Sequence, residues 1–227
     1  MTFGDFLAVD NLVRRHHAAS AHLSRMPGDQ RLVNHTAWAL TALNVIGWIL
    51  IPVTAAVAGG LRFRNLGRDQ CSGVASLRSG ADSTAIDWWQ VLSCRAPTDA
   101  GPFQLLIRGV DEAHRDCRQP VSWSAGNPNL ACTGDLVELA EVIVAALREA
   151  GCPAGQTISA VGGSLATLAR QAGPESTAAT LGRRVWQGVA PGAPVAPGDP
   201  GFRRPSCCGL MPMAQTDAVC CPDCPQR

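Results

Sequence analysis

The sequence contains no lysine and no tyrosine, and all nineteen of its basic residues are arginines. Together with the many Ala, Gly and Pro residues, this bias is typical of GC-rich coding, so arginine in place of lysine is weak evidence for any function. Charged residues are scarce at 16%, and the formal net charge is +1. A chain with so little net charge has no strong general attraction to nucleic acid or anionic membranes, and we expect no nucleic-acid partner.

Familiar catalytic and nucleotide-binding motifs are also missing. The sequence has no Ser-His-Asp pattern, no P-loop and no G-x-G-x-x-G after a predicted strand, so no flavin or nicotinamide site is predicted. The opening MTFGDFLAVD has no basic stretch followed by an apolar core, so no secretory signal is predicted. We therefore expect a cytoplasmic protein. In that reducing compartment, clustered cysteines more often bind metal or carry out redox chemistry than form structural disulfides.

Hydrophobic residues make up 46% of the 227 residues, enough for the core of one large domain or two small ones. Apolar periodicity and terminal signals predict helices at about 6–24, 134–151, 157–173 and 175–189. Short runs such as QLLIRGV and PVSWSA predict strands in the middle third. The predicted class is therefore α+β: a predominantly α-helical body, a few short middle strands and a small irregular C-terminal segment.

One long apolar stretch raises the question of a membrane. Between Arg31 and Arg62 lie thirty residues without Asp, Glu or Arg, long enough to span a bilayer. Asn34, His35 and Pro52 interrupt this stretch, and arginines on both sides give no orientation. We interpret it as a pair of buried helices broken near Pro52. A true membrane span and peripheral membrane contact remain the alternatives.

The segment APGAPVAPGDPG, residues 190–201, is rich in proline and glycine and cannot form a helix. It divides the chain into three predicted parts. Residues 1–189 form a mainly helical body with a small sheet at about 62–130, residues 190–201 form a linker, and residues 202–227 form a cysteine-rich tail.

Five of the ten cysteines lie in this tail. The vicinal pair Cys207-Cys208 is followed, after twelve residues, by Cys221-x-x-Cys224, with Cys220 directly before Cys221. A CxxC turn can place two thiolates on one metal ion. Adjacent cysteines are a poor chelate for a single metal but suit a two-iron centre, whose ligands need not converge on one point. The spacing thus favours an iron–sulfur centre, while zinc and disulfides remain alternatives.

The stretches FRRPSCCGL and CPDCP resemble the C-terminus of the FhuF-like ferric-siderophore reductases, which bind a [2Fe–2S] cluster through a C-C-x10-C-x2-C pattern. The resemblance implies a [2Fe–2S] cofactor held by Cys207, Cys208, Cys221 and Cys224. The spacer here is two residues longer than in the family pattern. Because loop-closure entropy grows with the logarithm of length, that difference costs only about 0.2 kcal/mol.

The resemblance also implies an activity. We expect an oxidoreductase that transfers one electron to Fe(III) in a ferric siderophore, so that Fe(II) is released, with another protein as electron donor. Arg203 and Arg204 would raise the cluster potential or attract an anionic chelate, unless they are ordinary solvated arginines. Two other functions stay open: a zinc-stabilised binding module, and a cluster-bearing siderophore-binding protein without reductase activity.

The remaining features are interpreted as structural. Gly162-Gly163 indicates a close contact of its helix with another part of the protein. His16, His17 and His22 are interpreted as solvated histidines. The scattered cysteines are interpreted as buried thiols without a metal; they are Cys71, Cys94, Cys117, Cys132 and Cys152.

Cys220 is the alternative to Cys221 as the third cluster ligand, and two single substitutions decide between them. We expect Cys221→Ser to abolish or alter the electron paramagnetic resonance signal of a [2Fe–2S] centre, because it removes half of the CxxC chelate. Cys220→Ser should leave most of the signal. The reverse outcome, measured on anaerobically purified protein with matched visible spectra, would move the ligand to Cys220.

Overall fold

The computed structural model describes the backbone of residues 7–26, 28–58, 61–64, 76–79, 85–87, 104–108, 116–120, 133–214 and 221–226. Between residues 58 and 133 only the backbone of short strands is described. The helices are α1 (Val9–Leu23), α2 (Gln30–Ala58), α3 (Thr133–Glu149), α4 (Ala154–Ala172), α5 (Thr177–Val189) and α6 (Leu210–Ala214).

The hydrophobic core lies between α1, α2, α3, α4 and α5, with the most extensive packing between α2 and α4. Each helix turns an apolar stripe inward. On α2 this stripe includes Ile46 and Ile49, on α3 Ile143, and on α4 Leu165, all of which are fully buried. A smaller cluster centred on Met213 lies beneath α6 and the start of α2.

The predicted α+β class is wrong, because the part of the chain that can be interpreted is 70% helical and mostly α. The middle strands are β1 (Leu61–Arg64), β2 (Ser76–Ser79), β3 (Ala85–Asp87), β4 (Gln104–Arg108) and β5 (Asp116–Pro120). Their backbones pair antiparallel in the orders β1-β2-β3 and β4-β5. Within the residues whose side chains are described, the core is built from helices and the segments that join them.

The apolar stretch is buried, but the prediction of two helices broken near Pro52 is wrong. A single helix of 29 residues, α2, continues through this position. Proline has no N–H, so the backbone bond to the carbonyl four residues earlier is absent. Burial of Leu50 and Val53, both fully enclosed, on either side of the proline offsets that loss.

By length and composition, α2 is the one helix among the described residues that could cross a membrane, over Gln30–Ala55. About two thirds of that stretch, 65%, is covered by the rest of the protein. A central core helix passes the same test of length and apolarity, because it too is apolar on most sides.

Residues 190–201 contain no helix, as predicted, and they lie against the helical body. Val195 and Ala196 pack on the main core. Asp199 forms an ion pair with Arg183 of α5 at 3.4 Å. The next residue to reach the core is Phe202, whose ring meets Trp186 edge-on with 5.7 Å between ring centroids. The cysteine-rich tail therefore starts from a fixed point on α5.

The prediction that all three N-terminal histidines are solvated is wrong for His16. His17 and His22 are exposed, but His16 is buried and stacks on Trp38 with 4.1 Å between ring centroids. Burial lowers its pKa, and hydrogen bonds to Asn34 partly oppose this shift. The folded protein therefore favours the neutral form of this histidine more than the unfolded chain does.

Acid should destabilise the fold through His16. Since the folded-state pKa is below the unfolded value of about 6.5, the unfolded chain binds the proton more readily. The stabilising contribution is complete above about pH 6.5 and is lost as the pH falls from there towards the folded-state pKa. Urea unfolding of His16→Gln across this range should show a weaker pH dependence than the wild type.

His22→Gln is the matched control for this prediction, because His22 lies on the same helix and is exposed. If the two variants lose the same amount of pH dependence, His16 is not the group responsible.

Candidate metal centre

Polar side chains of α2 and α4 hold the backbone that carries the vicinal cysteines. Gln156 Nε2 donates to the carbonyl oxygen of Cys207 at 3.0 Å and to Ser206 Oγ at 3.1 Å. Ser159 Oγ donates to the carbonyl oxygen of Ser206 at 2.7 Å. From α2, His35 Nε2 lies 3.0 Å from the same Cys207 carbonyl. Two helices thus fix the position of Cys207 before any metal binds.

The glycine pair of α4 gives the tail room to cross the helix. A Cβ at Gly162 would lie 3.0 Å from both Phe202 and Trp186, and one at Gly163 would lie 2.9 Å from Arg204 Cδ. The close contact predicted for Gly162-Gly163 is therefore confirmed. Its partner is the segment that leads into the cysteines, rather than another helix alone.

Arg204 ties the two ends of the tail together. Its backbone N–H donates to the carbonyl oxygen of Asp223 at 2.9 Å, and its Nε lies 3.3 Å from Asp223 Oδ2. Both side chains are almost completely buried, with 3% and 6% of their surface exposed. Asp223 also pairs with Arg170 of α4, whose Nη1 lies 3.4 Å from Oδ1. The residue inside the CxxC turn is thus anchored to the helical body.

The same arginine contacts both halves of the cysteine motif. Arg204 Nη2 donates to Cys221 Sγ, and its guanidinium also hydrogen-bonds to Cys208. On the other side of the motif, Cys207 Sγ donates to Gln226 Oε1 at 3.4 Å, and Cys207 lies close enough to Cys224 for the two thiols to interact electrostatically. Folding therefore places the vicinal pair next to the CxxC turn.

The surroundings of Cys207 and Cys221 favour the neutral thiol over the charged thiolate. Burial is the main cause that raises the pKa of Cys221 to about 12, and the neighbouring Cys208 adds to it, while Arg204 opposes it. Burial likewise raises the pKa of Cys207, against a hydrogen bond from the Gly209 N–H to its sulfur at 3.4 Å. Thiolates would be stable here once positive charge is supplied, as metal ions do.

Exposure differs along the motif. Cys208 and Cys224 are buried, with 6% and 1% exposed, whereas Cys207 and Cys221 are half-buried. Arg203, four residues before Cys207 in the sequence, is exposed, and its Nη1 donates to the carbonyl oxygen of Phe202 at 2.9 Å. The motif therefore has one face towards the core and one towards solvent.

The four thiols of the motif suit some metal centres better than others. Among the residues that the structure describes, no three His, Cys, Asp or Glu side chains converge as ligands of one metal ion. A mononuclear zinc site needs four ligands on one point. A [2Fe–2S] cluster needs only two thiolates on each iron, and its sulfur ligands match the four thiols by chemical type. The four thiols fit a [2Fe–2S] cluster by chemical type.

The ligand role of Cys207, Cys208, Cys221 and Cys224 stays a prediction, although the structure brings these four residues together. Cys220 lies outside the described residues. Of the scattered cysteines, Cys152 is buried, as predicted, and burial raises its pKa to about 12. The other four lie outside the described side chains.

Sequence reasoning missed the residues that hold the motif in place: His35, Gln156, Ser159, Arg170 and Asp223. Asp223 could have been noticed, since an acidic residue inside CPDC is unusual for a turn that collects negative thiolates. The contacts of His35 could not, because 172 residues separate it from Cys207 along the chain.

Comparison of the chain with protein-family models, with curated proteins and with solved structures gave no match. The resemblance of its cysteine motif to the FhuF-like reductases therefore stands on the motif alone.

A methyl group at Gly163 should loosen the tail. In Gly163→Ala the new Cβ would lie 2.9 Å from Arg204 Cδ and 3.3 Å from Leu43 Cδ2, and Arg204 is held by Asp223 and Cys221. We expect the free energy of unfolding to fall by about 1–2 kcal/mol, because overpacking outweighs the gain in helix propensity. Urea unfolding measures the change.

Gly134→Ala is the control, because nothing lies within 4 Å of a Cβ at that helical position. It should gain up to about 1 kcal/mol of stability from helix propensity. Equal gains in both variants would mean that the tail does not press against Gly163.

Proposed function

We propose that this protein is a [2Fe–2S] oxidoreductase that passes one electron to Fe(III) held by a siderophore. The observation that carries the proposal is the meeting of Cys207-Cys208 with Cys221-x-x-Cys224 around one buried arginine. The resemblance of both cysteine stretches to the FhuF-like reductases supports the same cofactor and substrate. Cys207, Cys208, Cys221 and Cys224 would hold the cluster.

The charges around the motif support an anionic cofactor. A [2Fe–2S] cluster with four thiolate ligands is anionic, and a buried anion needs nearby positive charge. Arg204 supplies that charge in contact with two of the cysteines. Asp223 is shared between Arg204 and Arg170, so the neighbourhood keeps a net positive charge. This arrangement favours the cluster over an uncharged structural core.

The chemistry needed for iron release is a single-electron step. A [2Fe–2S] centre accepts and supplies one electron at a time. Fe(III) is a hard ion that siderophore oxygen ligands hold tightly, and Fe(II) is held far less well. One electron from a donor protein would therefore pass through this protein to the chelated Fe(III). Fe(II) and the free siderophore would then be released.

The protein's own residues would orient this reaction. Cys207 and Cys221 lie half-buried at the solvent-facing side of the motif, where a ferric chelate and a donor protein can both approach. The exposed Arg203, four residues before Cys207 in the sequence, would attract anionic ferric chelates. Gln156 and His35 would keep the Cys207 backbone fixed, which limits reorganisation when charge changes.

A cytoplasmic location fits this proposal, because reduced electron-donor proteins are available there. Peripheral membrane contact of α2 is a further part of the proposal to be tested. Retention of the full chain in a carbonate-washed membrane pellet would support such contact, and recovery in the supernatant would oppose it.

The proposal is tested by metal analysis followed by single-turnover kinetics. We expect anaerobically purified protein to contain iron and acid-labile sulfide in equal amounts, and its dithionite-reduced form to be reoxidised by ferric hydroxamates. Cys208→Ser should lose the iron, because one thiolate ligand is gone. Cys152→Ser, which changes a buried cysteine outside the tail, should keep it.

Three outcomes separate the competing functions. A colourless protein with one zinc per chain would replace the cluster by a zinc-stabilised module. A cluster that no ferric chelate reoxidises would leave a siderophore-binding protein without reductase activity. Reoxidation that is equally fast in Cys208→Ser would show that the electron does not come from this site.

A further inference from the structure

The structure contains one buried arginine whose contacts are not explained by packing. Arg204 has only 3% of its side chain exposed, and burial of a guanidinium is costly unless its charge is balanced. Its partners are Asp223, Cys208 and Cys221, which come from both halves of the cysteine motif. A residue placed only to fill space would not need partners from two chain segments.

We infer that Arg204 is the positioning residue of the metal centre: it joins the vicinal cysteine pair to the CxxC turn, with Asp223 fixing its guanidinium. The role in cluster chemistry rests on the proposed function, whereas the joining of the two segments does not. Arg204 touches two of the predicted ligands but is not itself a ligand.

The path of the Arg204 side chain explains why only a long, forked cation serves here. The Arg204 side chain crosses α4 at Gly163, where a Cβ would lie 2.9 Å from Arg204 Cδ. Beyond that crossing, Nε faces Asp223 and Nη2 reaches Cys221. A planar guanidinium can serve partners on several sides at once, whereas a lysine ammonium is a single point of charge.

Asp223 completes the arrangement from the other side. Its carbonyl oxygen accepts the Arg204 N–H at 2.9 Å, so the two segments also pair through their backbones. Its carboxylate is held by Arg170, whose Nη2 donates to Thr167 Oγ1 at 2.9 Å. The carboxylate is therefore fixed to α4, and it fixes the guanidinium in turn. This chain of contacts ends on the helical body.

The inference makes a claim about the metal-free protein. If Arg204 holds the CxxC turn, Cys221 is protected in the wild type even without a cluster. Alkylation reports opening of the turn, because only a thiol that has left its buried site becomes a reactive thiolate. In Arg204→Gln the turn loses its hydrogen bond to the guanidinium and should open more often, so alkylation of Cys221 should become about tenfold faster. Peptide-resolved mass spectrometry after pulsed iodoacetamide measures this, with Cys152 as the internal reference. Arg184→Gln, which changes an exposed arginine of α5, should leave the rate unchanged.

A second measurement separates positioning from general stability. In the cluster-loaded protein, Arg204→Gln should lower the midpoint potential, because removal of a positive charge disfavours the more negative reduced state. Arg204→Lys keeps the charge and should restore the potential towards the wild-type value, while Cys221 stays more reactive than in the wild type. If Arg204 only stabilised the fold, Arg204→Gln would leave the midpoint potential unchanged. Arg204→Gln and Arg204→Lys would then have the same potential.

Asp223→Asn covers the case in which Arg204→Gln fails to fold. It keeps the shape of the side chain and the backbone pairing, so we expect a folded protein with faster Cys221 alkylation. Circular dichroism checks that the helices remain. Unchanged alkylation in Asp223→Asn and in every folded Arg204 variant would overturn the inference.

The outcomes also distinguish this inference from the proposed function. Faster alkylation in a protein that binds no iron would support the joining of the two segments and refute the cluster. A cluster with a normal potential in Arg204→Gln, together with unchanged alkylation of the metal-free variant, would support the cofactor and overturn the inference about Arg204.

Discussion

The balance of charge around Arg204 is the constraint on which the tail of this protein depends. A buried guanidinium is tolerated only with anionic or strongly polar partners on several sides. Here those partners are the carboxylate of Asp223 and two cysteine side chains, and they come from segments separated in sequence. The requirement to satisfy one cation therefore decides how the tail folds.

The helical body supplies a platform for this arrangement. The side of α4 that faces the tail carries Gln156, Ser159 and the glycine pair, so it offers hydrogen bonds at one end and space at the other. The helix α2 contributes His35, which contacts the same Cys207 carbonyl as Gln156. A chain with few charges overall thus concentrates its polar contacts where the tail docks. Elsewhere the helices meet mainly through apolar side chains, and α1 meets α2 partly through the stack of His16 on Trp38.

The sequence predicted α3, α4 and α5 well, because their apolar periodicity agrees with the acidic first turn of α3 and with the glycines that follow α3 and α4. It failed at Pro52, where burial on both sides outweighs a local helix-breaking signal, and at His16, whose burial depends on Trp38. The cysteine pattern indicated which residues belong together. The residues that position them could not be predicted, since their contacts span most of the chain and follow no local spacing.

The distance between His35 and Cys207 along the chain, 172 residues, has a consequence for biosynthesis. The platform on α2 and α4 is synthesised long before the segment that covers it, and non-local contacts of this kind form late in folding. Until Phe202 and Arg204 arrive, the groove at the glycine pair stays open to solvent. A chain that ends before this segment would lack the tail contacts of Gln156, Ser159 and His35, and Phe202 and Arg204 would not cover its glycine pair.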